Sequence, residues 1–195
     1  MISAVILAAG ESRRMGGIKL LLPFGEKTII ETVADSALQS KLDNVLVILG
    51  SSAKKISEKI RDMPVEISVN PNFSRGMLSS ILWGFRHLPD STDAVLIMLG
   101  DQPMVSSSVI DAIINGYSET EKGIILPVYN KKRGHPVLID VKYSDDLKRL
   151  DPEKGLRELM HKYTGDIMEV HVNTPTILRD IDTPEDYSEE IKYRR

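Results

Sequence analysis

The sequence predicts an α/β fold of three layers, a mostly parallel sheet with helices on either face and a small hairpin or flap at one edge. Three observations predict it. Short apolar runs alternate with amphipathic segments from the start of the chain: SAVILA, TIIETVADSAL, NVLVIL, KKISEKI, VEISV, MLSSILWGFRHL and AVLIML. Several of the strand-like runs are apolar throughout rather than at every second residue, as expected of strands covered on both faces. A chain of 195 residues with 42% hydrophobic side chains has enough apolar surface for one α/β unit, spanning 1–195, but not comfortably for two.

In order, SAVILA begins the sheet, TIIETVADSAL is the first helix, NVLVIL the second strand and KKISEKI the second helix. VEISV, MLSSILWGFRHL and AVLIML continue the strand, helix, strand alternation. A helix is expected near Val105 to Tyr117 and a strand at IILPV. The turn-rich YNKKRGHP leads into VLID, the signal for the hairpin or flap. Helical segments near Tyr143 to Leu150 and Glu153 to Tyr163 precede two expected strands, IMEVHV and TILRDI. TPEDYSEEI reads as a last helix, with Thr183 as N-cap and Pro184 at its first position. No internal repeat, linker or low-complexity tract interrupts the series.

Composition narrows the function. With 28 acidic and 25 basic residues and a net charge of -3, the chain has no global basic field for a nucleic acid polymer, so phosphate recognition has to be local. It has no cysteine, which excludes disulfides, thiolate catalysis and cysteine-bound zinc. Its apolar runs fall far short of the roughly 20 residues that span a bilayer. Ile2 to Ala9 has no positive region before it and arginines where a signal peptide would be cleaved. A cytoplasmic protein that engages no membrane is expected.

The stretch AVILAAG runs from strand pattern into a glycine that Arg13, Arg14 and Lys19 soon follow. In an open parallel sheet the ligand crevice lies beyond the carboxyl ends of the strands, where Ala8, Ala9 and Gly10 would sit. Small residues let backbone approach a ligand, and a glycine-rich turn presents N–H groups to phosphate oxygens. The spacing in GESRRMGGIKL is neither that of a P-loop nor GxGxxG. Either the glycines simply make a turn among solvated arginines, or the loop is a polyphosphate site. Asp101, in LGDQPMV, favours the second, because it follows an apolar strand at the same sheet edge. A carboxylate there can hold Mg²⁺, whose remaining positions are filled by water and substrate phosphates; it can also serve as a turn or cap residue. Asp180 and Asp182, in LRDIDTPEDY, stand similarly, and Asp182 has the same capping alternative.

At these residues the chain resembles a known family. LAAGESRRMGGIKLLLPFG, from Leu7, is similar to the signature loop LAAGxSxRMGxxKLLLP of nucleotidyltransferases related to molybdenum cofactor cytidylyltransferase. NPNFSRGMLSSILWG, from Asn70, resembles that family's NPxxxxGMxxSIxxG, and the likeness recurs at LGDQPMV and GHPVLI, so that it runs from Leu7 through Asp182. The first motif alone is shared with other pyrophosphorylases of the same fold. The resemblance implies a Rossmann-like nucleotidyltransferase fold and a Mg²⁺-dependent transfer of a nucleoside monophosphate to the terminal phosphate of molybdopterin, with pyrophosphate released.

Guanylyltransferase relatives carry LAGG where this chain has LAAG, so Ala9 points to CTP. By similarity, Leu7, Ala8, Ala9 and Gly10 contact the base and ribose, Ser80 the cytosine or its sugar, and Arg14 and Lys19 the triphosphate. Asp101 completes the nucleotide and catalytic sets and binds the metal with Asp182. Arg13 stands at a variable position of the motif and has no assigned role. Gly134, His135 and Pro136 of RGHPV, with Gly155 and Arg157 of KGLRELM, are the candidate acceptor contacts. His135 could equally be a flap residue bonded to backbone, and Arg157 a solvated helix residue. The second stretch departs from the family's GDxGAR, with Glu153 for aspartate and Leu156 for alanine, and the added leucine volume is expected to narrow the acceptor pocket.

The partners implied are CTP, a molybdopterin-type phosphorylated acceptor, and a receiving molybdoenzyme or maturation chaperone. GTP as donor, a sugar phosphate or phospholactate as acceptor, and a non-catalytic molybdenum cofactor maturation protein are the alternatives. An oxidoreductase of related fold would need a nicotinamide or flavin site, for which the GxGxxG loop is missing.

Overall fold

The structure, a computed structural model, describes residues 1–192 except for the side chain of Arg13; the last three residues of the expected 1–195 unit lie outside that range. The strands are β1 (Ile2–Ala8), β2 (Pro23–Phe24), β3 (Lys27–Thr28), β4 (Asn44–Leu49), β5 (Glu66–Val69), β6 (Ala94–Leu99), β7 (Ile124–Tyr129), β8 (Lys132–Arg133), β9 (Val137–Asp140) and β10 (Ile167–His171). The helices are α1 (Ile29–Leu38), α2 (Ala53–Ile60), α3 (Met77–Arg86), α4 (Ser107–Ser118), α5 (Ser144–Leu147), α6 (Leu156–Lys162) and α7 (Pro184–Ile191).

One 8-stranded sheet runs β10-β7-β9-β6-β1-β4-β5, with β8 paired to β7. β1 lies parallel to both β4 and β6, β4 to β5, and β7 to β10. β9 is antiparallel to both its neighbours, β6 and β7, and enters the middle of the sheet. The hairpin that precedes it, β7 to β8, turns through Asn130 and Lys131 at φ 48° and 63°. A two-residue turn of this kind needs positive φ at both central residues, and asparagine supplies one at little cost.

Because successive strand residues face opposite sides, β1 feeds two cores. Ala4, Ile6 and Ala8 pack with Val33 and Ala34 of α1 and with Ile110 of α4. Val5 packs on the other side with Ile81 of α3 and with Leu147 and Leu159 of α5 and α6. This is the three-layer α/β architecture expected from the continuous apolar runs. α1 starts with a capping box between Thr28 and Glu31. α7 starts with the expected Thr183 cap and Pro184, and Asp186 closes a second capping box.

The run TILRDI, expected as a strand, is not one. Thr174 caps a short 3₁₀ turn over Pro175–Leu178, and the chain then continues unpaired with any strand. Its backbone groups are engaged singly: Ile177 O accepts from His135 N–H at 3.0 Å, and Ile181 N–H donates to Asp101 O at 3.0 Å. The apolar residues that imitate a strand, Ile177 and Ile181, are buried against the first core. Among the described residues no helix is long and apolar enough to cross a membrane.

From β1 the chain builds outward to β4 and β5, then returns to place β6 on the opposite side of β1. The carboxyl ends of β1 and β6 therefore flank the point at which the winding reverses, where open sheets form their crevice.

Candidate active site

A cleft of about 600 Å³ opens at that place. Leu7, Ala8, Ala9, Gly10, Arg14, Lys19, Ser80, Asp101 and Asp182, the residues expected at the nucleotide and metal, all line it. The sequence explains how the loop reaches them. Beyond β1 the chain passes Gly10 and a 3₁₀ turn at Arg13–Met15, reverses at Gly16 with φ 64°, and enters a second such turn at Lys19–Leu21. Leu20 is buried in the first core and anchors its neighbour Lys19, whose backbone N–H also donates to Ser12 Oγ at 3.3 Å.

Lys19 Nζ lies 2.6 Å from Asp101 Oδ2 and 2.9 Å from Asp182 Oδ1. Arg14 Nη2 reaches the other oxygen of Asp182 at 2.8 Å. The side chain of Lys19 is 12% exposed and that of Arg14 65%, so one cation is sunk in the cleft and the other stands at its mouth. Burial works against the Lys19 charge, yet Asp101 and Asp182 outweigh it and hold the ammonium above its usual pKa. Burial also opposes the charge on Asp182, and there Lys19 and Arg14 prevail and keep the carboxyl below its usual range. For Asp101 burial prevails over Lys19 and pushes the carboxyl up, with Asp180 and Asp182 adding to the rise.

Two carboxylates that converge on one cation within 3 Å of each form a donor pair suited to Mg²⁺, which takes one or two protein carboxylates and completes its octahedron with water and phosphate oxygens. Among the described residues no group of three or more histidines, cysteines or carboxylates is gathered for a metal.

Opposite the charges, Ser80 of α3 is buried and its Oγ accepts from Asn70 Nδ2 at 3.1 Å. Asn70, 1% exposed, is itself held where its Oδ1 accepts from the Asn72 N–H at 2.9 Å. Phe73 and Met77 line the same wall. Gly50, just past β4, is required here: a Cβ on it would stand 2.5 Å from Ala9 O, 2.8 Å from the Phe73 ring and 2.9 Å from the Ala9 methyl. Without a side chain at Gly50, the Ala9 loop and Phe73 close against each other.

The candidate acceptor residues fall elsewhere. Gly134, His135, Pro136, Gly155 and Arg157 do not line this cleft. Gly134 and His135 clasp the C-terminal segment: besides the His135 N–H bond to Ile177, a Cβ on Gly134 would come within 2.2 Å of Ile177 O. His135 Nδ1 is buried with no hydrogen-bond partner. Burial lowers the imidazole pKa against the pull of Asp180, a backbone bond to Ile97 and Asp101. Gly155 and Arg157 open α6, and Leu156 between them packs against the second core; its volume goes into that core instead of narrowing the cleft. Asn70, Phe73 and Gln102 carry no sequence signal of their own beyond standing inside the NPNF and LGDQP stretches. Asp180, noted in the sequence, lines the cleft beside Asp182.

The family model described as the MobA-like NTP transferase domain matches residues 4–167, from β1 to the start of β10. The chain belongs to the MobA-like NTP transferase family. Molybdenum cofactor cytidylyltransferase of Escherichia coli is 28% identical over 187 residues, which cover 95% of this chain and 93% of that protein. Nicotine blue oxidoreductase of Paenarthrobacter nicotinovorans is 31% identical over 71% of each chain. Among solved structures, Rv0371c from Mycobacterium tuberculosis superposes with a TM-score of 0.88 at 28% identity, covering 98% of this chain and 97% of that one. As a MobA-like protein the chain is a nucleotidyltransferase in family and fold, and the paired charges of its cleft lie at the loop that carries the family's first motif.

Proposed function

We propose that the protein transfers CMP from CTP to the terminal phosphate of molybdopterin, with Mg²⁺ bound by Asp101 and Asp182. The observation that carries the reading is the meeting of Lys19, Asp101 and Asp182, with Arg14 beside them, at the end of the Leu7–Gly10 loop. The likeness to the E. coli cytidylyltransferase along nearly the whole of both chains supports the acceptor. Alanine at position 9, where LAGG relatives have glycine, supports the cytosine base.

In this reading an oxygen of the acceptor phosphate attacks the α-phosphorus of CTP, the bond from that phosphorus to the bridging oxygen of the β-phosphate breaks, and pyrophosphate leaves. The acceptor monoester has a second pKa of roughly 6, so it arrives ionised and needs no proton removed. The protein's work is to bring two anions together in line and to neutralise the leaving group. Lys19 and Arg14 exchange their carboxylate partners for phosphate oxygens, and Ser80 and the backbone of Leu7–Gly10 hold the nucleoside. Mg²⁺, held by Asp101 and Asp182, would supply charge neutralisation for the leaving pyrophosphate.

The oxidoreductase name borne by one relative makes a direct assay necessary. Purified protein is incubated with Mg²⁺, molybdopterin and CTP, GTP, ATP or UTP in turn, and pyrophosphate is measured. CTP with acceptor gives the fastest release. Release from none of the four overturns the reading.

A further inference from the structure

Two consecutive residues after β6 grip two consecutive residues of the C-terminal segment. Asp101 O accepts from the Ile181 N–H at 3.0 Å, and Gln102 Nε2 donates to Asp180 Oδ1 across 78 positions of sequence. Gln102 is 4% exposed, one of a small number of buried polar side chains, whereas Asp180 is solvent-exposed on the cleft wall. Gln102 does not line the main cleft, so its influence on any ligand there passes through Asp180.

The segment it holds has unusual need of such a grip. Residues 179–182 belong to no strand, so no sheet register fixes Asp182 relative to Asp101. Downstream, Asp182 is fixed by its own N–H donating to Asp186 Oδ2 at 3.1 Å. Upstream, the segment is held by the Arg179–Glu190 ion pair, by Ile181 buried in the first core with its N–H on Asp101, and, at Asp180 itself, by the Gln102 side chain.

We infer that Gln102 is a positioning residue: by holding Asp180 it sets where the Asp182 carboxylate stands relative to that of Asp101. This rests on the reading of those two carboxylates as the metal pair. An amide suits the task because it offers a donor to a carboxylate without adding charge beside Asp101. Residues that orient metal ligands in this indirect way typically change metal affinity by roughly 10–100-fold when removed.

The test is Mn²⁺ binding to the full chain, followed by electron paramagnetic resonance with cytidine 5′-(α,β-methylene)triphosphate present. Three variants are compared with wild type: Gln102→Leu, Asp180→Ala and Asp180→Asn. Gln102→Leu removes the donor at similar volume; Asp180→Ala breaks the same bond from the exposed side; Asp180→Asn removes the charge but keeps an oxygen for Gln102. The expected result is Mn²⁺ affinity lowered roughly tenfold or more in Gln102→Leu and Asp180→Ala, with Asp180→Asn near wild type. Wild-type affinity in a folded Gln102→Leu overturns the inference. Should Gln102→Leu not fold, equal losses in Asp180→Ala and Asp180→Asn overturn it, since charge alone then accounts for the effect. Failure of the wild type itself to bind Mn²⁺ with the nucleotide would count against the proposed function instead.

Discussion

Lys19 joins Asp101 to Asp182: one ammonium lies 2.6 Å from the first carboxylate and 2.9 Å from the second, although the lysine comes from the first loop of the chain and the two aspartates from far later in it. A single half-buried cation thereby collects the parts of the site, and its removal should do more than weaken one contact.

Asp101→Ala should lose turnover by orders of magnitude while remaining folded, because it removes one of the two proposed metal ligands and leaves Lys19 with Asp182 alone. Pyrophosphate release and a thermal melt check it together. A folded variant with near-normal turnover removes Asp101 from the metal site.

Lys19→Ala and Arg14→Ala should both impair triphosphate handling, and loss of the half-buried Lys19 should be the more damaging, because Arg14 is largely exposed and screened. Lys19→Arg should rescue only in part, since a planar guanidinium does not fit a position where a compact ammonium meets two carboxylates. KM for the nucleotide and kcat, measured separately, distinguish these outcomes.

Asp182→Asn and Thr183→Ala should part company. Thr183 caps α7, so its loss costs about 1 kcal/mol of stability and should leave turnover in the folded fraction largely intact. Asp182→Asn keeps the backbone N–H that Asp186 accepts, so the melt should move little while turnover collapses. Equal effects of the two on turnover at matched folded fractions would make Asp182 structural only.

Ala9→Gly should lower the preference for CTP over GTP by roughly tenfold, the scale of one methyl group in an apolar pocket. Because a Cβ on Gly50 would collide with both Ala9 and the Phe73 ring, Gly50→Ala should disturb the same loop, costing about 1–3 kcal/mol through overpacking and raising KM for both nucleotides. The ratio of kcat/KM for CTP and GTP reports the first effect and the melt the second.

The half of the site built on strand ends was legible in the sequence. An apolar run that stops at Ala8-Ala9-Gly10, and another that stops before Asp101, announce the crevice because sheet geometry alone puts both ends at one edge. The other half was not. Gln102 and Asn70 act through partners that only the fold brings near, and although they stand inside the LGDQPMV and NPNF stretches, nothing local says what they hold. TILRDI misleads for a physical reason: Ile177 and Ile181 are apolar because they fill the first core, yet Pro175 and singly engaged backbone groups keep that segment out of the sheet. Leu156 misleads likewise, since a departure from a motif signals a changed pocket only if the side chain faces one.

The late, strandless approach of Asp182 bears on how the protein comes into being. By the time the ribosome has made β10, every strand of the sheet has been synthesised, but the second carboxylate is still unmade or in the exit tunnel. Premature termination just after His171 would therefore release a chain that has all ten strand segments but lacks Asp182, the second partner of Lys19, together with Ile177 and Ile181 of the first core.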